Sequence, residues 1–218
     1  GDEAGEMRIS DIESIILQHD MEEELGFAQA YYDKRTAHLV KVHTDEGLTG
    51  IGEVFGAGNF AFANQGILSH VIKPMLVGRN PLDISVIWHD VYNAVRDHGQ
   101  KGMPICCLSG IDIALWDILG KATSMPLYQL LGGKAREQFV AYGYGMMFRQ
   151  RDDLQAVYED EVARIVEMGF TAAKMKIAAQ RNSNSSHCRS RNLRRFTSRR
   201  SLRNRRAGNT KCLGCCRM

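Results

Sequence analysis

The residues best placed to do chemistry are Lys174 and Lys176, in the stretch TAAKMKI at 171–177. In a strand, alternate side chains face opposite ways, so Ala172, Lys174 and Lys176 share one face and Ala173, Met175 and Ile177 the other. Ammonium groups two strand positions apart lie about 6–7 Å from each other and disfavour each other's charge. That arrangement is one way a lysine becomes a base near neutrality. The residues alone leave two readings open. One is a half-exposed strand with two solvated lysines, the usual place for this residue type; the other is an active-site face.

The elements around the pair limit the choice. FVAYGYGM at 139–146 reads as a strand. Asp152 or Asp153 then caps a helix whose buried face is Leu154, Val157, Val162, Ile165 and Val166, and Gly169 ends it. Strand, helix, strand over 139–177 is a βαβ unit, expected to cross over right-handed into a parallel sheet. In a β/α barrel the outer strand face packs under helices, which suits Ala173, Met175 and Ile177. The lysines would then point inward at the C-terminal mouth, where barrel active sites sit.

Upstream, residues 7–19, 36–44 and 51–56 predict a three-stranded antiparallel meander, with DEGLTG at 45–50 as turn chemistry. Over 36–44 the alternation sets Leu39 apart from the polar His38, Lys41 and His43. DMEEELGFAQAYYDKR at 20–35 reads as a long polar and aromatic loop, a kind of loop that is usually functional or disordered. Asn80 and Pro81 predict an N-cap and first helical residue, followed by Ile84, Ile87, Trp88, Val91, Tyr92 and Val95 at helical spacing. Ser109 and Asp112 resemble a capping-box start for a helix with the stripe Ile111, Ala114, Leu115, Ile118 and Leu119, ending near Gly120.

The stretch CLSGIDIALWDILGKATSMPLYQLLGG at 107–133 closely resembles the signature of the mandelate racemase and muconate lactonizing enzyme family, within the enolase superfamily. The match runs without gaps through Ser109–Asp112, Ala114–Asp117, Gly120–Lys121, Pro126–Leu127 and Leu130–Gly132, and departs visibly at Cys107, where alanine is usual. VYNAVRDHGQKG at 91–102 is similar to acid-sugar lactone and dehydratase members, notably galactarolactone cycloisomerases. The resemblance covers residues 7–177. It implies an α+β capping domain over 7–135, preceded by an extension at 1–6, and the first β/α/β unit of an incomplete TIM-type barrel over 136–177. It further implies that Lys176 removes the proton α to a carboxylate, that Lys174 tunes it or contacts the carboxylate, and that Mg²⁺ stabilises the enediolate. Phe27, Tyr31 and Tyr32 in the 20–35 segment, and the segment around Phe55, would shape specificity for a small-molecule acid-sugar carboxylate. His19 is either a substrate contact or an ordinary polar loop residue. Full-length relatives are expected to be homo-oligomers.

Composition divides the chain. Its net charge of +3 hides 11 Arg and one Lys, with no Asp or Glu, in residues 178–218, so the first 177 residues carry −9. Three explanations of the basic segment compete: an arm for nucleic acid or anionic surfaces, a zinc knuckle from His187, Cys188, Cys212 and Cys215, and an out-of-frame or truncated product. Sudden loss of acidic residues and of apolar periodicity favours the last and predicts a disordered tail. The family's metal carboxylates and second acid/base group belong to later barrel strands. Of the 42 residues after Lys176 none is acidic, so a polypeptide of this sequence is expected to bind no Mg²⁺ tightly and to be inactive. The second function class is a non-catalytic binding or assembly module with a nucleic-acid- or anion-binding tail. The acidic N-terminal stretch, the absence of an apolar run near ~20 residues and the lack of a disulfide framework predict a cytoplasmic protein that spans no membrane.

Overall fold

The computed structural model describes residues 6–27, 30–56 and 58–177. The chain divides into two units, Gly1–Ala179 and Gln180–Met218. The second lies outside the described residues, and so do the expectations for the basic segment: disorder, zinc and nucleic acid.

Three strands form the expected antiparallel meander: β1 (Ile9–Phe27), β2 (Ala30–Thr44) and β3 (Thr49–Glu53), in that spatial order. Residues 20–27 and 30–35, read from sequence as part of a loop, instead belong to the far ends of β1 and β2. Register runs unbroken from Asp11↔His43 to Asp20↔Lys34, slips at an irregularity, and resumes at Leu25↔Tyr32, Gly26↔Tyr31 and Phe27↔Ala30. Two-faced exposure hid these strands, because charges replace the apolar alternation that normally marks them. Cross-strand pairing supplies what burial does not, with the Lys34 ammonium 2.8 Å from the Asp20 carboxylate.

On β2 the inward face is His38, Val40, Val42 and Thr44, all buried, whereas Leu39, Lys41 and His43 share the outer face. His38 therefore belongs with the apolar residues, contrary to the polar grouping expected from sequence. Its Nε2 lies 2.7 Å from Ser14 Oγ, and its Nδ1 has no partner among the described residues. Burial lowers its pKa below the ordinary 6.5. In the unfolded chain this imidazole takes its proton near 6.5, but in the folded chain only at lower pH, so the unfolded state holds more protons in between. Stability should be complete above pH 6.5 and fall as pH drops below it. Denaturant midpoints at pH 7.5 and 5.5 should show that loss, and His38→Leu should remove the part of it due to this group.

Helices cover the inner face of the sheet. They are α1 (Phe60–Ile67), a π-helical segment (Leu68–Ile72), α2 (Lys73–Leu76), α3 (Ile84–Val95), a 3₁₀ turn (Arg96–His98), α4 (Met103–Thr123) and α5 (Leu127–Leu130). α3 starts three residues later than the sequence suggested. Asn80 Oδ1 accepts the Leu82 N–H at 2.9 Å in a local turn, and Asp83 stands at the cap. Ser109 and Asp112 do not start a helix; they lie in the middle of α4. The inward stripe already begins at Cys107 and Leu108 and continues through Ile111, Ala114, Leu115 and Ile118, so burial of a whole face overrides a local capping pattern. α4 is long and apolar enough to cross a membrane, yet its apolar side is the core itself, packed with Val40, Val42, Val54, Leu68 and Ile87.

α4 and β3 approach almost to backbone contact. A Cβ placed on Gly50 would lie 2.0 Å from the Ala114 carbonyl oxygen, and one on Gly52 would lie 1.9 Å from that of Gly110. The helix also caps the sheet's open edge. Asp117 Oδ2 accepts the Ile51 N–H at 2.9 Å, and Lys121 Nζ donates to the Thr49 carbonyl at 2.6 Å and to Asp117 at 2.7 Å. Ion pairing is secondary here; the edge strand gains partners for its outward backbone groups. Cys107 sits buried in the same helix with its thiol donating to the Asn64 carbonyl at 3.5 Å. Burial, with Cys106 adding to it, pushes that thiol up to about 12, which makes it a packing residue.

After α5 the chain forms β4 (Gly143–Tyr144), α6 (Leu154–Glu167) and β5 (Ala173–Lys174), with β4 and β5 parallel. Both strands are shorter than 139–146 and 171–177. Phe139 and Val140 are exposed, and among the described residues the parallel pair has no further strand beside it. On α6 Ile165 is buried, Leu154, Val157 and Val162 are half-buried, and Val166, expected inside, is exposed.

Candidate active site: a lysine pair at the end of a parallel strand pair

The parallel register pairs Gly143 with Ala173 and Tyr144 with Lys174, so each pair shares a face. Backbone bonds carry the ladder from one end to the other: Gly143 N–H to Ala172 O at 3.0 Å, Gly145 N–H to Lys174 O at 3.2 Å and Lys176 N–H to Met146 O at 3.3 Å. Gly143 faces α6, where an added Cβ would lie 2.5 Å from Ile165 Cγ2. Tyr144, Lys174 and Lys176 consequently share the opposite face. The Lys174 and Lys176 ammonium groups lie 5.1 and 5.9 Å from the centre of the Tyr144 ring. The structure thus brings the two lysines together on one face. Ala173, Met175 and Ile177, expected under a helix, are exposed, because α6 lies over β4 and no second covering helix occurs among the described residues.

The hairpin reaches this region. Gly26 and Phe148 exchange two backbone hydrogen bonds, of 2.6 and 3.2 Å, in an isolated antiparallel bridge. Beside it Arg149 is clamped between two carboxylates, with Nε 2.8 Å from Glu23 and Nη2 2.5 Å from Glu161. Glu161 also accepts the Met146 N–H. Burial opposes the Arg149 charge, but the Glu161 and Glu23 carboxylates outweigh it and raise the pKa. A hollow of about 420 Å³ beside the clamp is lined by further ion pairs, Arg151 with Asp153 and Arg164 with Asp160. The two bonds from Arg151 occupy the Asp153 carboxylate, which makes no cap bond to α6.

The Arg149 side chain is only 13% exposed, which places the clamp between surface and buried ion pairs in worth. Arg149→Met should cost about 1–3 kcal/mol, between those limits, by leaving Glu161 without its partner. It should also expose the hairpin to protease within residues 20–35. Arg149→Lys should recover only part of the loss, since an ammonium cannot span both carboxylates as a guanidinium fork does. Urea midpoints and the position of the first proteolytic cut check this.

The other expected site residues fall into two groups. Phe27 and Tyr32 pack ring to ring at 6.2 Å, Arg35 stacks over Tyr32 at 5.4 Å, and Tyr31 covers Gly26 at the bridge to Phe148. These aromatics are therefore on the part of the hairpin that touches the barrel segment. His19 is exposed and pairs across the hairpin with Arg35, and Phe55 is 80% exposed just past β3, its carbonyl held by Asn64 Nδ2 at 3.0 Å. Among the described residues no hydrogen bond, ion pair or ring contact joins His19 or Phe55 to the lysines. Sequence reasoning missed Tyr144, Glu23, Arg149 and Glu161. Tyr144 was within reach, because it lies in the strand expected to pair with the lysine strand.

No three His, Cys, Asp or Glu side chains come together as a metal site among the described residues. The described residues therefore do not fit the Mg²⁺ that the family resemblance implies.

A meander covered by helices, followed by a parallel β/α/β unit, is the arrangement of an α+β capping domain that leads into the start of a β/α barrel. The chain belongs to the mandelate racemase / muconate lactonizing enzyme family, whose N-terminal domain matches residues 12–132. It is 36% identical over 171 residues to the D-galactarolactone cycloisomerase of Agrobacterium fabrum, which covers 78% of this chain and 44% of the relative. It is also 36% identical over 140 residues to the arabinonate dehydratase of Saccharolobus solfataricus, covering 64% of this chain and 37% of that one. The crystal structure of an enolase-superfamily member from Polaromonas sp. JS666 superposes with a TM-score of 0.65 at 33% identity, over 78% of this chain and 44% of the other. The chain thus spans less than half the length of these relatives, and its described residues reach as far as one β/α/β unit.

Proposed function

We propose that this chain is the N-terminal part of an enzyme that removes the α-proton of an acid-sugar carboxylate, leading to dehydration or cycloisomerisation, with racemisation as a variant. Lys176 is the base and Lys174 its companion at the carboxylate. The observation that carries this is the placement of both ammonium groups on one strand face at the Tyr144 ring. The dehydratase and cycloisomerase relatives support the substrate class. Lys176 holds the proton after abstraction, and the hairpin aromatics Phe27, Tyr31 and Tyr32 border the substrate. His19 and Phe55 are assigned secondary contacts. The Mg²⁺ dependence belongs to the whole enzyme, with ligands beyond the described residues. Solvent deuterium exchange at the substrate α-carbon tests the proposal, since it reports proton abstraction even without product. In a polypeptide extended through the whole barrel, exchange that persists in Lys176→Ala would reject the assignment.

A further inference from the structure

We propose that Tyr144 is the positioning residue of the lysine pair: its ring face gathers both ammonium groups into one patch and leaves their N–H donors free for an anionic ligand. Two like charges on alternate strand positions repel, and long flexible side chains can splay to relieve this. A ring face attracts cations through its quadrupole without neutralising them, whereas a carboxylate would occupy the same donors. Among the described residues no carboxylate lies within ion-pair distance of either Nζ, and the ring is 5.1 Å from one and 5.9 Å from the other.

The half-exposed ring is anchored at its hydroxyl and through its backbone. Its hydroxyl donates to Met147 Sδ at 3.0 Å. Its backbone cannot twist freely, because Gly143 is pressed against Ile165 of α6, where a Cβ would lie 2.5 Å from the side chain. The alternation Gly143–Tyr144–Gly145 therefore puts small residues under the helix and one aromatic toward the lysines. A pair of open ammonium groups beside one aromatic ring suits a small carboxylate. That chemical use rests on the proposed role of Lys176; the geometry does not.

The test uses the 218-residue chain with its lysines ¹³C-dimethylated, a change that keeps their charge. Lys174 and Lys176 are assigned from single Lys→Arg variants. Both methyl resonances should be displaced upfield by the ring current and should show nuclear Overhauser contacts to the Tyr144 ring. Tyr144→Phe should retain the displacement, and Tyr144→Leu should abolish it while the Gly145 and Lys176 amides stay protected. Absence of the ring contacts in the unsubstituted chain would overturn the proposal whether or not the leucine variant folds. Undisplaced resonances, or displacement that survives in Tyr144→Leu, would do the same. None of these readouts involves turnover, so a negative result here leaves the assignment of Lys176 as base to be decided by deuterium exchange.

Discussion

A polypeptide of these 218 residues should not incorporate solvent deuterium at the α-carbon of an acid-sugar carboxylate, with or without Mg²⁺. A polypeptide extended through the full barrel should, and Lys176→Ala should then suppress exchange by orders of magnitude. Proton removal beside a carboxylate creates a doubly charged enediolate, and metal stabilisation of such charge is worth several kcal/mol. Each ~1.4 kcal/mol is a factor of ten in rate. The described residues gather no three potential ligands, and the segment after Lys176 contains no Asp or Glu. A base with no such stabilisation should therefore be slower on the order of a thousandfold or more. Metal-dependent exchange by the 218-residue polypeptide that disappears in Lys176→Ala would show that this expectation is mistaken and that the polypeptide assembles a complete site.

The lysine face was legible because strand alternation is local: Lys174 and Lys176 share a side wherever their strand lies. What they meet is not local. Tyr144 becomes their neighbour only through the parallel register with Gly143–Tyr144, across a crossover of some thirty residues, a length typical of βαβ units. The hairpin shows the opposite failure. Residues 20–35 carry charges on both sides, so no apolar face announced a strand, and only the pairing Asp20↔Lys34 and Leu25↔Tyr32 reveals one. Arg149 was invisible for a related reason, since its partners Glu23 and Glu161 come from the hairpin and α6. The capping-box pattern at Ser109 misled because a four-residue motif was weighed without the apolar stripe that begins before it.

Gly52→Ala should destabilise the chain by roughly 3 kcal/mol or more, the upper end for overpacking. The added Cβ would lie 1.9 Å from the Gly110 carbonyl oxygen, 2.9 Å from its carbon and 3.1 Å from the Ala114 nitrogen. All three are backbone atoms and none can swing aside, so the whole of α4 must retreat from β3. Retreat would loosen the packing of Ile111, Ala114, Leu115 and Ile118 and stretch the Asp117 and Lys121 bonds that cap Ile51 and Thr49. Gly66→Ala, in α1 with nothing within 4 Å of the added Cβ, should instead be stabilising by up to about 1 kcal/mol through helix propensity. Urea midpoints of the two variants measure the contrast. A Gly52→Ala loss under about 1 kcal/mol would mean the helix and strand are not held in backbone contact. The outcome also bears on how the family signature is understood. Gly110, Ala114, Asp117 and Lys121, four of its matched residues, all meet β3, and none of the lysine contacts described involves them. The stretch that identifies the family is thus a packing device that fixes the sheet edge, whereas the chemistry proposed above is assigned to two lysines some fifty residues further along the chain.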